Sequence, residues 1–72
     1  MSVYRVTELI GTSPESWEKA AATAVQTASK TLRDLRVAEV VKQDVQINEG
    51  GEVTYRIKLQ VSFKYEAAED GA

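Results

Sequence analysis

From Glu52 to Glu66 the chain alternates apolar and polar residues without a break. Val53, Tyr55, Ile57, Leu59, Val61, Phe63 and Tyr65 form one set, and Thr54, Arg56, Lys58, Gln60, Ser62 and Lys64 the other. Successive side chains of a strand point to opposite faces, so this pattern predicts a β-strand with one buried and one polar face. At about 3.3 Å per residue the run would reach roughly 45–50 Å. A compact chain of this length has a radius of gyration of only about 11 Å. The strand must therefore curve strongly or extend past its own protomer to meet others.

The other segments are less regular. Ser2 to Ile10 is rich in strand-forming residues and predicts a first strand. Val6, Glu8 and Ile10 share one of its faces, and Arg5, Thr7 and Leu9 the other, so both faces are mixed. Glu8 among apolar neighbours is either an edge carboxylate with a cationic partner or a contact for an ion or ligand. Gly11 to Pro14 reads as a turn into a helix from Pro14 to about Arg33, with Ser13 as N-cap or Thr12 and Glu15 as a capping box. Trp17, Ala20, Ala21, Ala24, Ala28, Thr31 and Leu32 fall on one helical stripe, widened by Val25. A stripe of alanines lets a sheet approach closely, with Trp17 as the large anchor at its start. Arg36 to Ile47 predicts a second strand whose apolar phase changes midway, the mark of a β-bulge. Asn48 to Gly51 makes a hairpin turn with glycines suited to positive φ. The acidic end of the chain, residues 67–72, is expected to fray.

The order is β-α-β-β, an α+β fold. In a three-stranded antiparallel sheet, strands one and two run in the same direction and the long third strand lies between them. Its apolar face then covers the alanine stripe, with the sheet wrapped around one helix.

Composition narrows the chemistry. The chain has 72 residues, which predicts a single domain over 1–72, with neither cysteine nor histidine. Disulfides, structural zinc of the usual kinds and histidine-based catalysis are excluded. Ser13 and Ser16 are accounted for by helix capping, and no activated nucleophile or tuned acid-base pair is visible. The expectation is a binding or structural protein, not an enzyme. A net charge of −2 gives no footprint for nucleic acid. No apolar run approaches the ~20 residues of a membrane span and no signal peptide opens the chain, so a cytoplasmic protein is expected. One helix on three strands buries little core, and small domains need a staple. With disulfides and zinc gone, the expected staple is self-association.

Three stretches carry a resemblance to a known family. VYRVTELIGTSPESWEKA, TLRDLRVAEV and YRIKLQVSFKYE resemble the dodecins, and the likeness extends over nearly the whole chain. It implies a β-α-β-β protomer in a hollow homododecamer with cubic 23 symmetry that stores FMN or riboflavin. In flavin-binding members a Trp at the start of the second strand stacks on the flavin and a Gln on the third strand bonds its ring. The matching positions here are Val37 and Arg56. Valine has no π face, and Arg56 offers donors only, so the usual flavin mode lacks both determinants. The chain is more similar to a subgroup called calcium dodecins, which also lack that Trp. This implies calcium, a cation that takes several hard oxygen ligands. No EF-hand loop is present. Glu8, Asp44 and Asn48 are the candidate ligands by chemistry, and ordinary surface positions are the alternative for each. The expected function is a dodecameric shell that binds or stores an ion or small ligand. The alternatives are a flavin store with a variant site and an assembly module without a ligand.

Overall fold

The computed structural model describes residues 2–64. Its elements are β1 (Tyr4–Ser13), α1 (Trp17–Ala28), β2 (Leu35–Ile47) and β3 (Val53–Lys64), with a short 3-10 turn at Glu49–Gly51. The sheet order is β1-β3-β2, with β3 antiparallel to both neighbours. The long alternating strand is thus central, as its connections require. Tyr65, Glu66 and the expected tail lie outside the described residues. The protein extends over 55 × 20 × 15 Å with a radius of gyration of 15.1 Å, well above the compact value of about 11 Å. The strand does not project beyond its protomer: β3 is flanked along nearly its whole length by β1 and β2, and it is the sheet as a whole that outruns the 12-residue helix.

One face of β3 supplies the core. Ile57, Leu59 and Val61 are buried against Ala20 of the helix, with Leu9, Trp17, Ala21, Ala24, Val25 and Leu35 packed around them. The helix lies across β1 and β3 and meets β2 only lightly. The alanine stripe allows this close crossing, and Gly11 completes it. Gly11 sits inside β1 opposite Ile57. A Cβ built there would lie 2.3 Å from the Ala20 carbonyl oxygen and 3.0 Å from the Ala24 Cβ.

This revises the expected boundaries. The first strand does not end at Ile10 but pairs on through Ser13, which is opposite Tyr55. Gly11 is therefore a strand residue selected by close approach, not by turn geometry. Because pairing holds the chain extended to Ser13, the helix starts at Trp17 and not at Pro14. Ser16 is its N-cap, with its hydroxyl accepting from the Lys19 amide. Ser13 instead accepts from the amides of Glu15 and Ser16 in the preceding turn. At the other end the helix stops at Ala28, short of Arg33. The Ser29 hydroxyl donates to the Gln26 carbonyl and the Thr31 hydroxyl to the Ala28 carbonyl, and such local bonds compete with continued helix. Asp34, at φ 58°, supplies the left-handed residue that redirects the chain in place of a glycine.

The bulge expected in the second strand is present. The register of β2 on β3 shifts between Leu35 and Val37 and again between Val40 and Lys42. The second shift brings Val45 and Ile47 to the helix side with Ala38 and Val40, and puts Lys42 and Asp44 on the far side with Val37 and Glu39. The hairpin closes as predicted, with Gly50 and Gly51 at φ 82° and 85°. Because the helix does not reach over β2, Ile47 stays 78% exposed on the helix side; Ile10 at 69% and Val6 and Val37 at 61% are exposed on the other. No helix among the described residues is long and apolar enough to cross a membrane.

Candidate functional site

The sheet face away from the helix carries the polar half of β3, and pairing arranges it in rungs. Residues directly opposite on adjacent strands share a face. One rung is Glu8, Gln60 and Glu39; the next is Ile10, Lys58 and Lys42; the third is Thr12, Arg56 and Asp44. Ile10, Lys42, Asp44, Arg56, Ile57 and Lys58 line a pocket of about 180 Å³.

The strongest polar contact on this face is a fork. The Arg56 Nε donates to Asp44 Oδ1 at 2.7 Å, and Nη2 to Oδ2 at 2.8 Å. Two parallel charge-assisted bonds fix orientation as well as distance. The hydrogen bonds from Arg56 hold the Asp44 carboxyl below the usual carboxylate range, against partial desolvation and with help from the Arg56 and Lys42 charges. The same contact raises Arg56, whose charge does not change at any ordinary pH. For a depressed carboxyl, the stabilisation is complete above the unfolded value of about 4 and disappears as pH falls through the folded value. The wild-type chain should therefore melt above Asp44→Asn by a constant margin from about pH 5 to 8. That margin should close in acid. A gap that persists unchanged at pH 2 would show that the effect of the substitution is not electrostatic.

The oxygen donors expected from the sequence stand apart within one protomer. Glu8 is exposed, 3.5 Å from both the Lys58 ammonium and the Gln60 amide nitrogen. Asp44 is on the Arg56 rung, four residues along β3 from the Gln60 rung, or about 13 Å. Asn48 lies beyond the last β2 pair and donates from Nδ2 to the Thr54 hydroxyl at 2.9 Å. The described residues contain no group of three acidic, histidine or cysteine side chains able to hold a metal. Val37 is opposite Ser62, six residues from Arg56 along β3, or about 20 Å. A small ligand touching both Val37 and Arg56 would have to bridge two protomers. Trp17 is not on this face. Its indole N–H donates to the Asp44 carbonyl oxygen at 3.0 Å, and its ring meets Tyr55 edge-on at 5.2 Å, as expected of an anchor. Sequence reasoning missed Lys42 as a site residue, because its place opposite Lys58 depends on the bulge.

Comparison with known proteins settles the family. A sequence model of the family described as Dodecin matches residues 3–66. The chain belongs to the dodecin family. It is 56% identical over 69 residues to the calcium dodecin of Mycobacterium tuberculosis, covering 96% of this chain and 97% of that one. It is 42% identical over 64 residues to the Thermus thermophilus dodecin, covering 89% and 93%. Among solved structures it is similar to the M. tuberculosis calcium dodecin, described as calcium-chelating with a novel calcium-binding site. That match has a TM-score of 0.84 at 54% identity and covers 94% and 97% of the two chains. The Streptomyces davaonensis dodecin aligns with a TM-score of 0.83 at 35% identity, covering 90% and 96%. In this chain the fork leaves the Arg56 side chain engaged by Asp44.

Proposed function

We propose that this dodecin assembles into a homododecameric shell of 23 symmetry that binds a small ligand or ion, with calcium as the ion, at contacts between protomers. The observation that carries the proposal is the uncovered apolar surface on both sides of the long sheet, at Val6 and Val37 on one side and Val40, Val45 and Ile47 on the other. Surfaces of this kind mark contacts with other chains. The calcium-chelating relative supports calcium as the ion. Calcium takes six to eight oxygens, so the separated donors of one protomer call for completion by neighbours. Glu8 and Asn48 are the proposed calcium contacts. Asp44 is proposed as the partner of Arg56 instead, because an ion beside it would sit among the positive charges of Lys42, Arg56 and Lys58. Flavin is not favoured, since Val37 cannot stack and Arg56 offers donors only.

Two measurements test this. Light scattering at micromolar concentration should give a mass near twelve times 7.9 kDa, and a monomer would refute the shell. Millimolar calcium should release or absorb heat in calorimetry and raise the melting temperature, with Glu8→Gln weakening both responses. No heat and an unchanged melting temperature would remove calcium from the proposal.

A further inference from the structure

The pocket on the far face of the sheet is out of balance electrically. Lys42, Arg56 and Lys58 line it, with Asp44 as the only carboxylate among its lining residues. Its formal charge is therefore about +2 in a chain whose net charge is −2. Lys42 and Lys58 are direct cross-strand partners, and like charges placed directly opposite are destabilising. Lys58 has distant relief from Glu8 at 3.5 Å. Lys42 has no carboxylate within ion-pair distance among the described residues. The apolar side chain beside these cations is Ile10, which is largely exposed, whereas the Ile57 side chain is buried on the helix side. Three cations converging beside the exposed Ile10 side chain suit an anionic head group joined to an apolar body.

The geometry points to this pocket as a binding site for a small organic anion, a carboxylate or phosphate group on an apolar chain, with the Asp44 carboxylate as a tethered competitor for Arg56. Lys42 presents an ammonium with no carboxylate within ion-pair distance among the described residues, and Lys58 one held only by its 3.5 Å contact with Glu8. Arg56 is the one rigid two-pronged donor in the pocket, and it already binds a carboxylate, that of Asp44. The side chain that recognises carboxylates is thus held by an internal one, and an incoming anion must share or displace it. Alkyl packing on Ile10 would cover an apolar surface that the protomer leaves open. The pocket is complete within one protomer, so failure of the calcium proposal leaves this one intact.

The test titrates the full chain in calcium-free, low-salt buffer, read by Trp17 fluorescence and calorimetry. Trp17 is bonded to the Asp44 backbone and reports on the pocket wall. The probes are hexanoate, hexyl phosphate, acetate and inorganic phosphate. Saturable binding is expected for the two hexyl probes, at least tenfold tighter than for the bare anions, and the tighter of the two identifies the head group. Asp44→Asn should tighten binding about tenfold by freeing the fork. Lys42→Ala, which removes a side chain without an ion pair, should weaken it about tenfold at unchanged assembly mass. Equal affinity for the bare and alkyl anions would overturn the apolar part of the site. No saturation by any probe in both wild type and Asp44→Asn, or wild-type affinity in Lys42→Ala, would overturn the site itself. Loss of assembly in Lys42→Ala would also overturn it, by showing that the lysine serves a neighbouring protomer.

Discussion

Replacing Gly11 with alanine should destabilise the protein by at least about 3 kcal/mol and lower its melting temperature by about 12 °C or more. The new methyl carbon would fall 2.3 Å from the Ala20 carbonyl oxygen, far inside van der Waals contact. The obstacle is backbone, so no rotamer change relieves it. Either the helix lifts from β1 or β1 bends away from the helix. Each response opens the contact between Ala20, Ala24 and the sheet, on which the buried Leu59 and Val61 depend. Small cores have little stability to lose. Gly51→Ala is the matched control. Nothing lies within 4 Å of a Cβ there, and only the positive φ of 85° opposes it, a cost of about 1–2 kcal/mol. Thermal unfolding of both variants at one fixed protomer concentration decides the matter, because assembly makes melting temperature concentration-dependent. If Gly11→Ala melts no lower than Gly51→Ala, the helix does not sit as tightly on β1 as the geometry requires.

The same glycine shows where the sequence was legible and where it was not. The alternation of β3 depends only on local periodicity, so its faces and central place follow from pattern and connectivity. The bulge in β2 announced itself as a change of phase. Gly11, followed by Thr12, Ser13 and Pro14, carries the local signal of a turn. What holds it in a strand is pairing to Ile57, a residue 46 positions away. The helix ends failed for the same reason: tertiary pairing delays the start, and hydroxyl side chains close the last turn early. The site was partly readable. Arg56 and Asp44 were each singled out, yet the contact between them exists only because the shift after Val40 turns Asp44 to the face of Arg56. Lys42 was invisible as a site residue because alternation shows that a bulge exists but not at which residue the phase turns over.

Trp17→Ala should be the second severe substitution, at about 3 kcal/mol, the lower end for loss of a large aromatic because Trp17 is only partly buried. Its importance comes from the placement of the helix. Helix α1 covers β1 and β3 and barely touches β2. From the first turn of that helix, Trp17 reaches the far strand, donating its indole N–H to the Asp44 carbonyl and resting edge-on against Tyr55 of β3. One side chain thus joins all three elements at this end of the protein. Trp17→Phe separates the two contributions, keeping most of the apolar packing and losing only the donor. It should cost about 1 kcal/mol, the net value of one hydrogen bond plus a small packing change. Amide exchange adds a local readout: protection in β2 around Asp44 should fall in Trp17→Phe while the β1 and β3 ladder stays protected. If Trp17→Phe leaves both stability and β2 exchange unchanged, the bond to Asp44 contributes nothing. The far strand would then be held by its ladder to β3 alone. If the expected loss appears, the base of the pocket at Asp44 is positioned from the opposite face of the sheet, through the indole. Packing at the helix start would then set the geometry in which Arg56 meets its carboxylate.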